Sequence, residues 1–194
     1  MPYPSDHKPK TRARIVGEAS RLFRRWGYDG TGVDRLMDSA GLTRGGFYAH
    51  FRSKADLFGQ ALAFAFDEST LNLFEKGHEA LTGDAWVRAA ARRYLSPRHR
   101  GRPEEGCAVP ALGAEVARAP VSVRRLFEVR LRRVLDEIAE RLGGGSEGRR
   151  EATVLLSSWV GALVLSRAVA DPRFGEEILA QVRAGTSRRA PRAP

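Results

Sequence analysis

Two helix-start signals, Thr31-Gly-Val-Asp34 and Ser53-Lys-Ala-Asp56, constrain this 194-residue chain more than any other feature. Each sets a hydroxyl residue three positions before an acid, the spacing of a capping box. Between them lies Gly41, a residue type that ends helices. The segment therefore has room for two short helices only, Val33 to about Ala40 and Arg44 to His50, joined by Gly41-Leu42-Thr43, with Thr43 placed to cap the second. Upstream, Ile15, Ala19, Leu22, Phe23 and Trp26 fall on one face of a helix from about Thr11 to Trp26, and Gly27 follows as its stop. Downstream, Ser53 opens a long helix whose apolar positions are read as Leu57, Ala61, Phe64, Leu71 and Phe74.

The rest of the chain repeats the helical period. Helices are expected over Asp84 to Leu95 and Glu105 to Arg118, separated by the polar loop SPRHRGRPEEG. Val123 to Leu142 carries Leu126, Phe127, Leu131, Val134, Leu135, Ile138 and Leu142 at helical spacing. After a GGGSEG loop come Arg149 to Ala170 and Pro172 to Arg183, broken at Asp171-Pro172. No run has the alternation of a strand. The expected fold is all-α: a three-helix helix-turn-helix unit over residues 1–54, a larger helical domain over 55–184, and a disordered basic tail over 185–194.

Charge separates these parts. Residues 1–54 hold 11 Lys/Arg and 5 Asp/Glu, residues 55–182 hold 18 of each, and residues 183–194 hold four arginines and no acid. A basic first quarter on a neutral body is the electrostatic footprint of a nucleic-acid-binding module. The asymmetry carries this inference; single arginines carry little, because arginine outnumbers lysine 29 to 4. The longest apolar run, Val154 to Leu165, is interrupted by two serines and falls short of the roughly 20 residues that cross a bilayer. The start lacks the apolar stretch of a signal peptide, so a cytoplasmic protein without membrane contact is expected.

The stretch GLTRGGFYAHFRSK, Gly41 to Lys54, holds the most specific chemistry. Adjacent glycines inside a short helix each cost about 1 kcal/mol relative to alanine. Close approach to a phosphate backbone would offset that cost. Phe47 and Phe51 share one face, expected to pack with Leu36, Ala40, Leu42 and Trp26, while Arg44 and Tyr48 point outward beside Gly45 and Ala49. In a helix-turn-helix the second helix enters the major groove. Arg44 is then the candidate for guanine O6 and N7, with Thr43 and Tyr48 donating hydroxyls to phosphates. Lys54, at a helix start, meets a phosphate with both its ammonium and the backbone N–H groups. Thr31, Gly46 and His50 complete the DNA-contact candidates. Lys8, Lys10, Arg12 and Arg14 form a basic N-terminal arm expected to add phosphate or minor-groove contacts.

The segment GTGVDRLMDSAGLTRGGFYAHFRSKADLF resembles the N-terminal domain of the TetR family of bacterial transcription regulators, above all at Tyr48, His50, Phe51 and Lys54. The resemblance covers roughly residues 11–60. It implies a DNA-binding domain, a larger helical domain that binds an inducer and forms a homodimer, and a repressor function. Met37 departs from the family pattern, which often has a small residue there. Beyond residue 60 the likeness is one of helix layout, so no ligand carries over.

Other signals are weaker. Gly144-Gly-Ser146-Glu-Gly148 matches the nucleophile elbow of serine hydrolases, but that motif needs a strand before it. The four histidines lack metal-ligand spacing, so neither a metal nor a cofactor is expected. Phe64, Trp86, Tyr94, Cys107 and Phe127 are candidate pocket residues for a hydrophobic or aromatic inducer. Leu156, Trp159, Val160, Leu163, Ile178 and Val182 are candidate dimer-interface residues on the last two helices. The expected protein is a homodimeric repressor, not an enzyme, released by a small molecule from a palindromic operator in double-stranded DNA. The alternatives are a nonspecific architectural DNA-binding protein and, further off, a serine hydrolase.

Overall fold

Helix α1 (His7–Trp26) opens the computed structural model, which describes residues 7–187. It buries Ile15, Ala19 and Phe23 completely and stops at Gly27, whose φ of 73° lies in the left-handed region. Trp26 departs from the expected core face: it is 50% exposed, flanked by the guanidinium groups of Arg25 and Arg35. Residues 8–14 are the first turns of this helix rather than an arm.

Helix α2 (Val33–Ser39) and a 3₁₀ helix (Arg44–Ala49) follow, with the turn between them at Gly41, φ 65°. Leu36, Met37, Phe47 and Phe51 close a small core against α1. The first capping signal does not act as one. Gly32 caps α2, while the Thr31 hydroxyl points back and donates to the Gly27 carbonyl at 2.7 Å. The second signal works: the Ser53 hydroxyl accepts from the Asp56 N–H at 3.1 Å, and the Asp56 carboxylate accepts from the Arg52 N–H at 3.0 Å. That backbone hydrogen bond holds the Asp56 carboxyl below the ordinary aspartate value.

Helix α3 (Lys54–Thr70) passes from the helix-turn-helix into the body and widens into a π-helical turn over Leu71–Glu75. Its buried face is Leu57, Phe58, Ala61, Leu62, Ala65 and Phe66, so the expected inward positions Phe64 and Leu71 lie at the surface. The body is completed by α4 (Gly83–Tyr94), α5 (Pro97–Gly101), a 3₁₀ turn (Pro103–Glu105), α6 (Ala108–Val116), α7 (Val121–Arg141), α8 (Gly145–Ala168) and α9 (Pro172–Ser187). All regular elements among the described residues are helical. None is long and apolar enough to cross a membrane.

Three expectations about the body need correction. The polar stretch SPRHRGRPEEG is not an open loop. Ser96 caps α5 by accepting from the His99 N–H at 3.1 Å, Pro97 occupies the first helical position, and His99 is buried. Arginines bond this segment to the last helices: Arg167 donates to the His99 and Arg100 carbonyls, Arg100 to the Ser166 carbonyl, and Arg183 to the Leu95 carbonyl. The tail does not begin at residue 185, because α9 continues and buries Thr186, whose hydroxyl accepts from the Trp159 indole at 3.1 Å. Residues 188–194 lie outside the described residues. Finally, Leu156, Trp159 and Leu163 are buried in the chain's own core and offer no surface to a second subunit.

That core centres on four rings. Phe74 lies 5.7 Å from Tyr94 with planes 15° apart, 6.1 Å from Trp86 and 6.5 Å from Trp159, and Tyr94 lies 5.7 Å from Trp159. Removing a buried aromatic of this kind costs about 3–5 kcal/mol. A second tie is ionic. The Arg24 guanidinium on α1, with no exposed side-chain surface, donates to Glu68 on α3 at 2.5 Å and to the Gly106 carbonyl at 2.7 Å. It fastens the N-terminal helix to the body.

Candidate functional site

The 3₁₀ helix presents Thr43, Arg44, Gly45, Tyr48 and Ala49 to solvent while Phe47 anchors it from below. Tyr48 is 74% exposed, its ring set edge-on against Phe47 at 5.2 Å. Arg44 pairs with Asp34 of α2 at 3.1 Å, both side chains largely exposed. An exposed pair of this kind is worth little, so Arg44 is free to exchange Asp34 for another acceptor. The Thr43 hydroxyl caps nothing, although Thr43 occupies the cap position.

The two glycines have no explanation inside the chain. Neither takes a positive φ. A Cβ on Gly45 would meet no other atom within 4 Å, and one on Gly46 would come into ordinary contact with Met37 Cε at 3.6 Å. The buried Met37 side chain ends beside this glycine but leaves room for a Cβ there. What the glycines leave is a bare backbone ridge on the outer face.

Lys54 stands at the first position of α3, its ammonium 4.2 Å from the centre of the Tyr28 ring. Such a cation–π contact holds the charge in place without neutralising it. Tyr28 is held in turn by the body: its N–H donates to Glu115 of α6 at 2.8 Å. Arg12 lies over Phe51 at 5.1 Å, adding charge to the same end. His50 is half-buried, its ring tilted on Phe51. Thr31 does not join this face: it is fully buried, with its hydroxyl spent in the α1–α2 turn. The structure thus brings Thr43, Arg44, Gly45, Gly46, Tyr48 and Lys54 to one end of the molecule and turns Thr31 away. The backbone at Gly45 and Gly46 and the ammonium of Lys54 suit an extended polyanion better than any small substrate.

The candidate pocket residues separate. Trp86, Tyr94 and Cys107 are buried, the first two in the ring cluster. Phe64 is at the surface, and Phe127 is half-buried edge-on against Phe66 at 5.3 Å. Of the five, Trp86 lines a cavity of about 300 Å³ with Phe74, Val134 and Ile138, rimmed by Glu75, Glu79, Glu137, Glu140 and Arg141. Cys107 sits beside the Tyr94 hydroxyl. Burial pushes its thiol above the ordinary value, and the neighbouring Tyr94 hydroxyl, Val109 N–H, Arg24 and Arg167 offset this only in part. The thiol is therefore protonated and poorly nucleophilic at neutral pH.

His99 is the residue that sequence reasoning missed. Its Nε2 accepts from the Cys107 N–H at 2.9 Å, so its Nδ1 carries the proton and donates to the Tyr94 carbonyl at 2.7 Å. Burial lowers its pKa to about 4, and Arg167 and Arg24 nearby add to the effect. The Ser96-Pro97 pair, a cap followed by proline at the first helical position, was the signal that could have found this short helix. Ser146 of the elbow-like motif lies in the exposed first turn of α8, without the preceding strand that the motif requires.

Known proteins share this arrangement. Residues 15–61 match the model of the bacterial regulatory proteins of the tetR family. The chain is 28% identical over 177 residues to the HTH-type transcriptional repressor Rv1474c of Mycobacterium tuberculosis, covering 77% of this chain and 91% of that protein. It is 26% identical over 165 residues to the HTH-type transcriptional repressor NemR of Escherichia coli, covering 78% and 81%. The reduced form of E. coli NemR superposes with a TM-score of 0.77 over 95% of this chain and 100% of that one, at 22% identity. AibR in complex with isovaleryl coenzyme A and operator DNA superposes with a TM-score of 0.64 over 91% and 96%, at 20% identity. Residues 15–61 thus match a tetR-family domain, and over most of its length the chain is similar to transcriptional repressors and shares their fold.

Proposed function

We propose that this protein is a ligand-responsive, homodimeric transcriptional repressor that acts in the cytoplasm on a palindromic operator. The observation that carries the reading is the 3₁₀ helix, with Arg44 and Tyr48 exposed and two glycines that its own fold does not require. Arg44 leaves Asp34 for guanine O6 and N7, Thr43 and Tyr48 donate to phosphates, and Lys54, held over Tyr28, meets a phosphate at the start of α3. The relatives named as repressors and the operator complex of AibR support the assignment.

A two-fold dimer would use the outward stripe of α8. Val154, Ser157, Gly161, Val164 and Leu165 follow one another at helical spacing, with Val154 60% and Leu165 57% exposed. Val160 of α8 is partly exposed beside the stripe, and on α9 Phe174, Ile178 and Val182 continue the apolar surface. Two such helices from each subunit form a four-helix interface. The inducer is a hydrophobic or aromatic molecule in the cavity beside Trp86. The acidic rim there favours a neutral or cationic one.

The test is fluorescence anisotropy against a selected palindrome and against random DNA. A preference of about 10³ or more for the palindrome is expected. Lys54→Ala should weaken binding to all sequences alike and reduce the salt slope by about 1, whereas Arg44→Ala should relax preference at one base position. Equal affinity for palindromic and random DNA would refute the repressor and identify a nonspecific architectural protein.

A further inference from the structure

A cavity of about 450 Å³ lies where α1 meets the body, between α3, the π turn, α4 and α5, apart from the apolar cavity beside Trp86. Five cationic side chains line it, Arg21, Lys76, Arg93, Arg98 and Arg102, against two carboxylates, Glu68 and Glu105. Glu68 is already held by the buried Arg24 at 2.5 Å. Glu105 therefore faces three guanidinium groups: Arg102 at 3.2 Å, Arg98 at 3.5 Å and Arg21 at 3.9 Å. All three distances are long for charge-assisted hydrogen bonds, which settle near 2.7–2.9 Å. One carboxylate can neither neutralise three guanidiniums nor satisfy their donors. His99 contributes no charge to this wall, since it is buried in the neutral form. Arg93 donates to the carbonyls of Asn72 and Lys76, which keeps its charge in the wall without a counterion among the described residues.

We propose that this cleft is a binding site for the phosphate or pyrophosphate group of a small metabolite. A phosphate brings three acceptor oxygens and close to two charges where Glu105 brings two oxygens and one charge. Guanidinium forks match that geometry. Arg98 and Arg102, at one edge, would close on the group, and Arg21 from α1 would reach it from the opposite side. Occupancy thus touches the helix that carries the DNA-facing unit. The site differs from the inducer cavity in charge and position and does not depend on the repressor reading.

The experiment is isothermal titration calorimetry of the full chain with inorganic pyrophosphate at fixed ionic strength without divalent cations. Saturable binding of one pyrophosphate per protomer is expected. The Arg98→Ala/Arg102→Ala double variant should bind at least tenfold more weakly, and Glu105→Gln, which removes the competing charge, should bind more tightly. Lys54→Ala should bind as the wild type does, which excludes the DNA-facing end as the source of the signal. Arg98 and Arg102 are solvent-exposed, Glu105 and Lys54 are half-buried, and an unchanged melting temperature checks the fold of each variant. Absence of saturation at 10 mM (~10 mM being the upper end for a useful metabolite site), full affinity in the double variant, or equally tight binding of succinate would overturn the proposal.

Discussion

Lowering the pH from neutral should destabilise this protein before its carboxylates begin to titrate, and His99 is the reason. In the folded chain both ring nitrogens are committed, Nδ1 as donor to Tyr94 and Nε2 as acceptor from the Cys107 N–H. Protonation would set a second N–H against that backbone donor and add a buried charge beside Arg24 and Arg167. The folded value of about 4 against an unfolded 6.5 gives the sign. Between them the unfolded chain binds more protons, so stability is complete above 6.5, falls as the pH drops toward 4, and levels off below it. The separation of the two values corresponds to roughly 3 kcal/mol, an upper figure for a group this buried. His78, also lowered by burial, works in the same direction. The assay is urea unfolding at fixed protein concentration from pH 7.5 to 4.5, for the wild type and for His99→Gln. The variant should be less stable at neutral pH by about 1–3 kcal/mol, because a glutamine cannot keep both hydrogen bonds of the ring in its geometry. Its stability should then change less with pH than that of the wild type, the two curves converging as the pH falls. Parallel curves would refute the argument, since they would place the pH dependence elsewhere.

Two further outcomes follow from the packing. Arg24→Met should cost about 3 kcal/mol by leaving Glu68 and the Gly106 carbonyl without their shared donor. The Arg24→Met/Glu68→Leu pair should recover part of that loss in denaturant titration, and failure of the second change to recover any of it would show that the carboxylate is not the strained partner. Leu165→Asp, placed on the outward stripe of α8, should give a folded monomer by light scattering at micromolar concentration. A dimer of unchanged affinity would move the proposed interface to another surface.

Legibility in the sequence followed how one-sided each helix is. The α1 face Ile15, Ala19 and Phe23 could be read because charged residues flank it on both sides. Helix α8 could not be read in this way. Its apolar residues occupy opposite faces, with Leu156, Trp159 and Leu163 inward and Val154 and Leu165 outward, and periodicity does not say which face meets the chain's own core. In α3 the expected positions Leu57 and Ala61 are buried and Phe64 is not, since Phe58, Leu62 and Phe66 compete with it at similar spacing. Thr31 matched a capping pattern, but a hydroxyl that can reach a carbonyl four residues back satisfies itself equally well there. The stretch proposed to face DNA stood out most in the sequence, because its glycines contradict helix propensity without any internal benefit. The basic cleft was invisible, for it assembles Arg21, Arg93 and Arg98 from three separate helices.

The π turn at Leu71–Glu75 makes chain length, rather than composition, the invariant of this region. Its Lys76 N–H reaches back five residues to the Leu71 carbonyl at 2.9 Å, so the turn holds one residue more than an α-helical ladder would. Replacing side chains there leaves that count intact. Deleting a single residue would let the ladder close into α-helix and change the angle at which Phe74 leaves the helix axis. Phe74 would then swing out of the stack with Trp86, Tyr94 and Trp159, and the two cavities that border this turn would lose the residues it lends them. Sequence drift in this stretch should therefore proceed by substitution and spare its spacing.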